Sequence, residues 1–347
     1  MRNLEYNVFA LVPDDKSKDE ILRTGIKTYF YKYEKSWKAL FGIISNFFFF
    51  KNIFKKENPD MVFTYKFFPN LVGIYIAHIM KIKKIVGTVA GLGFLEKQNR
   101  SLFVNIIFKV YIYVLNKAQY IIVQNSEDKK LIGKYIDEKK LILTNGSGVN
   151  KSSFTVDASF YCRDNWDLKK ECKYFLFCSR IVKDKGIFEL ITAFNEISKK
   201  ELDVGLIIAG WFDDKTIEST ILDEIKNSKN IFYVGYQKDV KELISLSDCI
   251  ILPSYYPEGV PRSLTEALAL SKPVITTDHR GCRETCEDGV NGFLIKVKDS
   301  KDIEEKILKF INLNNTEIQK MSKSSHDLFN RKFEQEIVFK TIMDNII

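Results

Sequence analysis

The runs VGLIIAG (204–210), DCIILPS (248–254) and PVITTD (273–278) are apolar or β-branched at almost every position, without the polar alternation of a strand that faces water. Strands of that kind are buried on both faces, and a parallel sheet with helices on each side is the arrangement that buries them. YFLFCSR (174–180) and IFYVG (231–235) have the same character. Each run is followed by a segment of helical length, the first from about Lys185 to Lys199. The alternation predicts a doubly wound α/β domain for the second half. The first half repeats it less cleanly. There NVFALVP (7–13), MVFTY (61–65), KIVGTV (84–89) and QYIIVQN (119–125) read as strands, and 36–56 and 101–117 as helices.

A chain of 347 residues suits two domains. The first is expected over 1–155 and the second over 156–330, joined through the polar stretch NKSSFTVDASFYCRDNWDLKK (150–170). A last helix at about 331–347 is free to pack back on the first domain. Two such α/β domains bound one cleft at the carboxyl ends of their sheets. The chain starts almost directly on NVFALVP, so the first domain is expected to lack its usual opening strand and glycine-rich turn.

Charge divides the chain as well. Residues 1–150 hold 24 Lys/Arg against 13 Asp/Glu, and residues 151–347 hold 29 against 32. A basic half suits a phosphate-bearing substrate, an anionic membrane or nucleic acid. Its basic residues are dispersed and no nucleic-acid module signature is present, so nucleic acid is set aside. No run of about 18 uncharged apolar residues exists, so no membrane-spanning helix is expected. MRNLEYNVFALVP has no signal-peptide layout. The six cysteines are scattered and read as reduced cytosolic thiols. Cys282 and Cys286, the close pair, have no second Cys/His pair at ligand spacing and read as structural. His279 and His326 read as surface residues.

The chemistry concentrates in LPSYYPEGVPRSLTEALAL (252–270), which follows a strand. Pro257, Gly259 and Pro261 force a loop, and a helix starts near Arg262 or Ser263. Its first turn is expected to leave the amides of Ser263, Leu264 and Thr265 free for an anion. Glu258 stands in the loop. Glu266 lies one turn into the helix, too far along to cap those amides but within reach of a group attached to a bound phosphate. SRIVKDKGI (179–187) offers Arg180 and Lys185, a rigid fork and a point charge that together could neutralise a diphosphate leaving group. Taken alone, two glutamates eight residues apart could be a loop carboxylate and a helix-surface residue. The preceding strand, the flanking prolines and the Arg/Lys element favour the functional reading.

These residues resemble a known family. PEGVPRSLTEALALSKPVI (257–275) is similar to the E-x7-E motif of retaining nucleotide-sugar glycosyltransferases of family 4, and SRIVKDKGI to that family's R-x4-K-G element. NGSGVN (145–150), VQNSED (123–128), GCRE (281–284) and DGVNGFLI (288–295) also fit. TVAGLGF (88–94) is similar to a T-x-x-G-L-G run of the bacterial members that extend lipid-linked O-antigen or capsule repeat units. The resemblance implies the GT-B fold, two Rossmann-like doubly wound domains facing a central cleft. It implies that Arg180 and Lys185 hold the donor diphosphate with the amides of Ser263, Leu264 and Thr265, that Glu266 binds the ribose, and that Glu258, beside Gly259, meets the donor sugar's hydroxyls. Gly91 and Gly93 would line the first domain's wall of the cleft; by themselves they read as a turn, since no GxGxxG is present. No metal or other cofactor is implied, because cations and a helix dipole take the metal's role. The sequence departs from the family in having no histidine in the 88–94 loop.

WKALFGIISNFFFFKNIFKK (37–56) carries four consecutive phenylalanines, which cannot share one core stripe of a helix, flanked by lysines at 38, 51, 55 and 56. A buried helix of the first domain is one reading. An interfacial helix on an anionic membrane is the other, with LFVNIIFKVYIYVL (102–115) adding to the same surface.

The expected function is therefore retaining transfer of a sugar from a nucleotide diphosphate, a UDP-sugar, to a lipid-diphosphate-linked glycan at the cytoplasmic leaflet. A UDP-sugar epimerase on the same scaffold, or a transferase homologue without activity, are the alternatives. The first of these needs no acceptor and no membrane face.

Overall fold

The computed structural model describes residues 6–15, 17–32, 39–96, 101–154, 163–166, 168–169, 171–200, 202–226 and 228–346. The chain divides into two compact units, Met1–Val89 with Leu102–Ile121 and Ala90–Ser101 with Ile122–Ile347. Residues 37 and 38 of the phenylalanine-rich stretch, and 155–162, 167 and 170 of the polar linker, lie outside the described residues.

In the first unit, β1 (Phe9–Pro13) and β2 (Lys27–Tyr31) pair in parallel around the short helix Lys18–Arg23. β3 (Met61–Tyr65) and β4 (Lys84–Val89) form a second parallel pair, in register from Met61 with Lys84 to Tyr65 with Thr88. The connection between them is helical from Phe67 to Ile79, with a π-helical turn over Asn70–Ile74. Asn70 is fully buried there. It donates to the Thr88 carbonyl at 2.9 Å and the Tyr111 hydroxyl at 2.8 Å, and accepts from Thr64 at 2.6 Å, so none of its polar atoms is wasted in the core.

Two helices of this unit have uneven faces. Along Ala39–Glu57, Phe50, Ile53 and Phe54 are buried while Ile44 and Phe48 are exposed, so the phenylalanine run divides between core and surface. Along Leu102–Leu115, Phe108, Tyr111, Ile112, Val114 and Leu115 turn inward. Leu102 and Phe103 on the same helix are 79% and 69% exposed, and Ile106, Val110 and Tyr113 are exposed with them. At about 100° per residue these five side chains fall within one face of the helix. Exposed Lys109 borders that face, and the Lys117 ammonium lies 4.4 Å from the Tyr113 ring centre. Among the described residues no helix is long and apolar enough to cross a membrane.

The second unit takes over within β5 (Tyr120–Val123) and includes β6 (Leu141–Leu143). Its main sheet comprises β7 (Lys173–Cys178), β8 (Val204–Ala209), β9 (Ile231–Gly235), β10 (Cys249–Leu252), β11 (Val274–Thr277) and β12 (Gly292–Ile295). The order is β12-β11-β10-β7-β8-β9, with parallel pairings throughout. Every residue of β8, β10 and β11 is buried, as continuous apolar runs require. Phe175 of β7 meets Phe194 of the helix Ile187–Ser198 and Phe310 of the helix Ser300–Ile311 edge-on, with ring centres 5.9 and 5.5 Å away. Truncating Phe175 to alanine in such packing would cost about 3–5 kcal/mol. The helix Asn315–Lys332 opens with a capping box between Asn314 and Glu317. The last helix, Gln335–Ile346, returns to the chain at Val149, whose amide and carbonyl bond Phe333 and Gln335.

Candidate functional site

The sheet order reverses between β7 and β10, and a crevice forms outside the carboxyl ends of strands that diverge in this way. Both motif-bearing loops leave the sheet at this point. After β7, Lys183–Lys185 makes a 3-10 turn and Gly186 adopts φ 75° before the helix Ile187–Ser198, so the helix starts later than the pattern near Lys185 suggests. A Cβ on Gly186 would fall on the Pro253 carbonyl, so this position requires glycine for both its dihedral and the close approach of the loop after β10. The two loops are also tied directly: the amides of Tyr255 and Tyr256 donate to the Asp184 carbonyl at 2.9 and 3.0 Å.

This tie brings Lys185 and Glu258 together. Lys185 is 8% exposed, and its ammonium ion-pairs with Glu258 Oε1, which also accepts from Ser254 Oγ at 3.2 Å. Arg180 lies on the same side, a third exposed, with Nη1 2.9 Å from Asp213 Oδ2. Tyr256 belongs to the same cluster, its ring 5.8 Å from the Lys185 ammonium. Burial, and then the Glu258 charge, raise the Tyr256 hydroxyl above its usual pKa. Tyr256, Ser254 and Asp213 escaped the sequence reading, although two of them share the loop of Glu258.

The helix Arg262–Ala269 begins where the prolines predict, with Pro261 as its N-cap. One expectation is corrected. The Thr265 amide is occupied, donating to the Pro261 carbonyl at 3.2 Å, because the cap residue's carbonyl already accepts the first helical bond. Among the described residues, the first-turn amides without a helical partner are those of Arg262, Ser263 and Leu264. Glu266 accepts from Arg262 Nε at 2.7 Å, and its side chain is 12% exposed. Burial raises its pKa above the usual carboxylate value, against the lowering effect of Arg262. Its charge is felt by Cys178 at the end of β7, whose thiol burial first and Glu266 second push up to about 12.

Gly91 and Gly93 lie against this loop. A Cβ on Gly91, at φ 89°, would stand 2.7 Å from the Pro257 carbonyl oxygen, and one on Gly93 would stand 3.0 Å from the Tyr256 hydroxyl. A further residue reaches the same loop. Asn125, fully buried, donates from Nδ2 to the carbonyls of Glu258 at 3.0 Å and Gly259 at 3.1 Å. It also caps the helix Ser126–Gly133 by accepting the Asp128 amide. Asp128, itself fully buried, accepts from Asn125 Nδ2 at 2.9 Å and from Arg280 Nη1 at 3.1 Å. VQNSED and GCRE, whose resemblance assigned them no role, thus meet around the Glu258 loop, where Ser126 also bonds Glu284 at 2.8 Å. Cys282 and Cys286 are buried free thiols. His279 and His326 are not open surface residues: both are partly buried, and neither Nδ1 has a hydrogen-bond partner among the described residues.

Burial raises the Asp128 carboxyl from 3.8 to about 6, against the lowering pull of Asn125 and Arg280. A raised acid pKa means that the folded chain holds this proton more tightly than the unfolded one. The resulting stability, about 3 kcal/mol for a shift of roughly two units, is present below about pH 4 and lost as pH rises through 6. Asp128→Asn should therefore flatten the stability profile between pH 4 and 6. It should also raise stability at pH 7 by about 1–2 kcal/mol, less than the full shift because Arg280 loses a partner. Denaturant melts at several pH values test this, and an unchanged slope would refute it.

Known proteins resemble the chain along both of its parts. Residues 1–125 match the family model "Glycosyl transferase 4-like" and residues 162–326 match "Glycosyl transferases group 1". Together the two matches identify a glycosyltransferase, similar to the 4-like model in its first part and to the group 1 model in its second. Among its relatives, the N,N'-diacetylbacillosaminyl-diphospho-undecaprenol alpha-1,3-N-acetylgalactosaminyltransferase of Campylobacter jejuni is 27% identical over 88% of this chain and 82% of its own. The UDP-Gal:alpha-D-GlcNAc-diphosphoundecaprenol alpha-1,3-galactosyltransferase of Escherichia coli is 23% identical over 71% of this chain and 65% of its own. Among solved structures, Anabaena HepE in complex with UDP superposes with a TM-score of 0.81 at 15% identity, covering 98% of this chain and 99% of that one. The expected GT-B fold class is the one this likeness shows.

Proposed function

We propose that this glycosyltransferase moves a sugar with retention from a UDP-sugar to a lipid-diphosphate-linked glycan, at the cytoplasmic face of a membrane, in the synthesis of a bacterial surface polysaccharide. The observation that carries the reading is the Lys185–Glu258 pair, set where two motif loops leave the sheet and followed by a helix with free first-turn amides. Lys185 and Arg180 neutralise the leaving diphosphate, with the amides of Ser263 and Leu264 on its oxygens. The bond from the anomeric carbon to the diphosphate breaks. The acceptor hydroxyl adds on the same face, and its proton passes to the departing phosphate. Glu258 takes the sugar's hydroxyls and Glu266 those of the ribose. The cations and the helix dipole supply the charge that a metal would otherwise supply, so transfer runs without one.

The relatives' names support the finer points. Both name a diphospho-undecaprenol sugar as acceptor and form alpha linkages, and one names UDP-Gal as donor. An α-linked UDP-sugar gives an α-product by retention. The exposed apolar face of Leu102–Leu115, bordered by lysines, fits an anionic bilayer, where a lipid-linked acceptor is found.

The test is UDP release from UDP-Gal, UDP-GalNAc, UDP-Glc and UDP-GlcNAc, with EDTA present, with and without an undecaprenyl-diphosphate-linked monosaccharide. Acceptor-dependent release and an α-anomeric product by NMR are expected. Acceptor-independent formation of a new sugar would point to an epimerase, and loss of release in EDTA would remove the metal-free mechanism.

A further inference from the structure

We infer that Asn125 is a positioning residue for transfer, acting through the backbone of the loop that carries Glu258. One side-chain amide bonds the carbonyls of both Glu258 and Gly259, and the Asp128 carboxylate turns that amide toward them while Arg280 holds Asp128 from the opposite side. Asn125 and Asp128 are fully buried, so the arrangement is a fixed part of the interior. Neighbouring groups pack closely on the loop. A Cβ on Gly259 would fall on the neighbouring Gln124 side chain, and one on Gly281 would fall on the Gly259 carbonyl. A peptide held by its own carbonyls sets where the Glu258 carboxylate lies relative to Lys185. An error of about 1 Å at such a group is enough to lower a rate about 100-fold.

The inference rests on the proposed role of Glu258, and the experiment separates the two. In the full chain, Asn125→Ser keeps a good N-cap oxygen for the helix Ser126–Gly133 but is too short to reach the two carbonyls. It should lower kcat for the UDP-sugar that the wild type uses by about 10- to 100-fold, while the dissociation constant for UDP changes less than about threefold. Hydrogen exchange at the amides of residues 258–260 should quicken by at least about tenfold. Asp128→Asn leaves one oxygen to serve both Asn125 and Arg280. As a second variant that needs no lost cap, it should lower kcat about fivefold. Turnover within twofold of wild type in both variants, with unchanged exchange in the loop, overturns the inference. If instead Glu258→Gln keeps full turnover, the donor reading fails, and the exchange data still decide whether Asn125 fixes the loop.

Discussion

Replacing Lys185 with alanine should lower sugar transfer by about 10²- to 10³-fold, the scale at which a single fixed charge aimed at a leaving group contributes. The same substitution should also weaken the fold. Lys185 is 8% exposed and the Glu258 side chain 14%, so removing the ammonium leaves a shielded carboxylate with no cation and only the Ser254 hydroxyl as donor, at a cost of about 2–4 kcal/mol. The two effects come apart in the double variant. Lys185→Ala with Glu258→Gln removes both charges and should recover most of the stability but none of the transfer. Thermal melts and UDP release measured on the three proteins distinguish the outcomes. A double variant that regains activity would show that the pair only holds the fold together.

Phe103→Asp combined with Ile106→Asp should weaken binding to vesicles containing anionic phospholipid by about 100-fold. Each side chain loses about 1.5 kcal/mol of insertion, and together that is two powers of ten. Both residues are exposed on the helix Leu102–Leu115, so the chain should fold as before. Turnover of a short-chain, water-soluble acceptor should stay at the wild-type level. Sedimentation with vesicles gives the first quantity, and unchanged partition of the double variant would remove this helix from any membrane role.

The parallel core was readable because both faces of its strands are buried, and continuous apolar runs have few other uses. The ends of the sheets were harder. β2 buries only Tyr31, β6 spans three residues, and β12 emerges from a glycine-rich turn, so none carries a period that outweighs its neighbours. Within the site, Glu258, Lys185 and the start of the 262–269 helix followed from proline placement and charge. Thr265 was misjudged by one position, since the carbonyl that occupies its amide belongs to a proline counted as loop. Asn125 stood in VQNSED, a stretch that the resemblance marked without giving the side chain a role. Its partners lie 133 and 134 positions away and are backbone carbonyls, which any residue would supply. His279 reads as a surface residue among polar neighbours just past a strand, whereas it is partly buried, and burial, first, and the neighbouring Arg280 charge lower its pKa.

The chain enters the second unit at Ala90, leaves it after Ser101 and returns at Ile122. Inheritance of an intact Glu258 loop is constrained by that path. A hybrid of two related transferases joined once, in the polar stretch after residue 154, would set one parent's asparagine against the other's loop carbonyls. Exchanging the whole unit takes three joins, at 89/90, 101/102 and 121/122. Shuffling between such genes should therefore yield working enzymes when residues 90–101 and 122–128 travel with the segment that carries Glu258, and damaged ones when they are left behind.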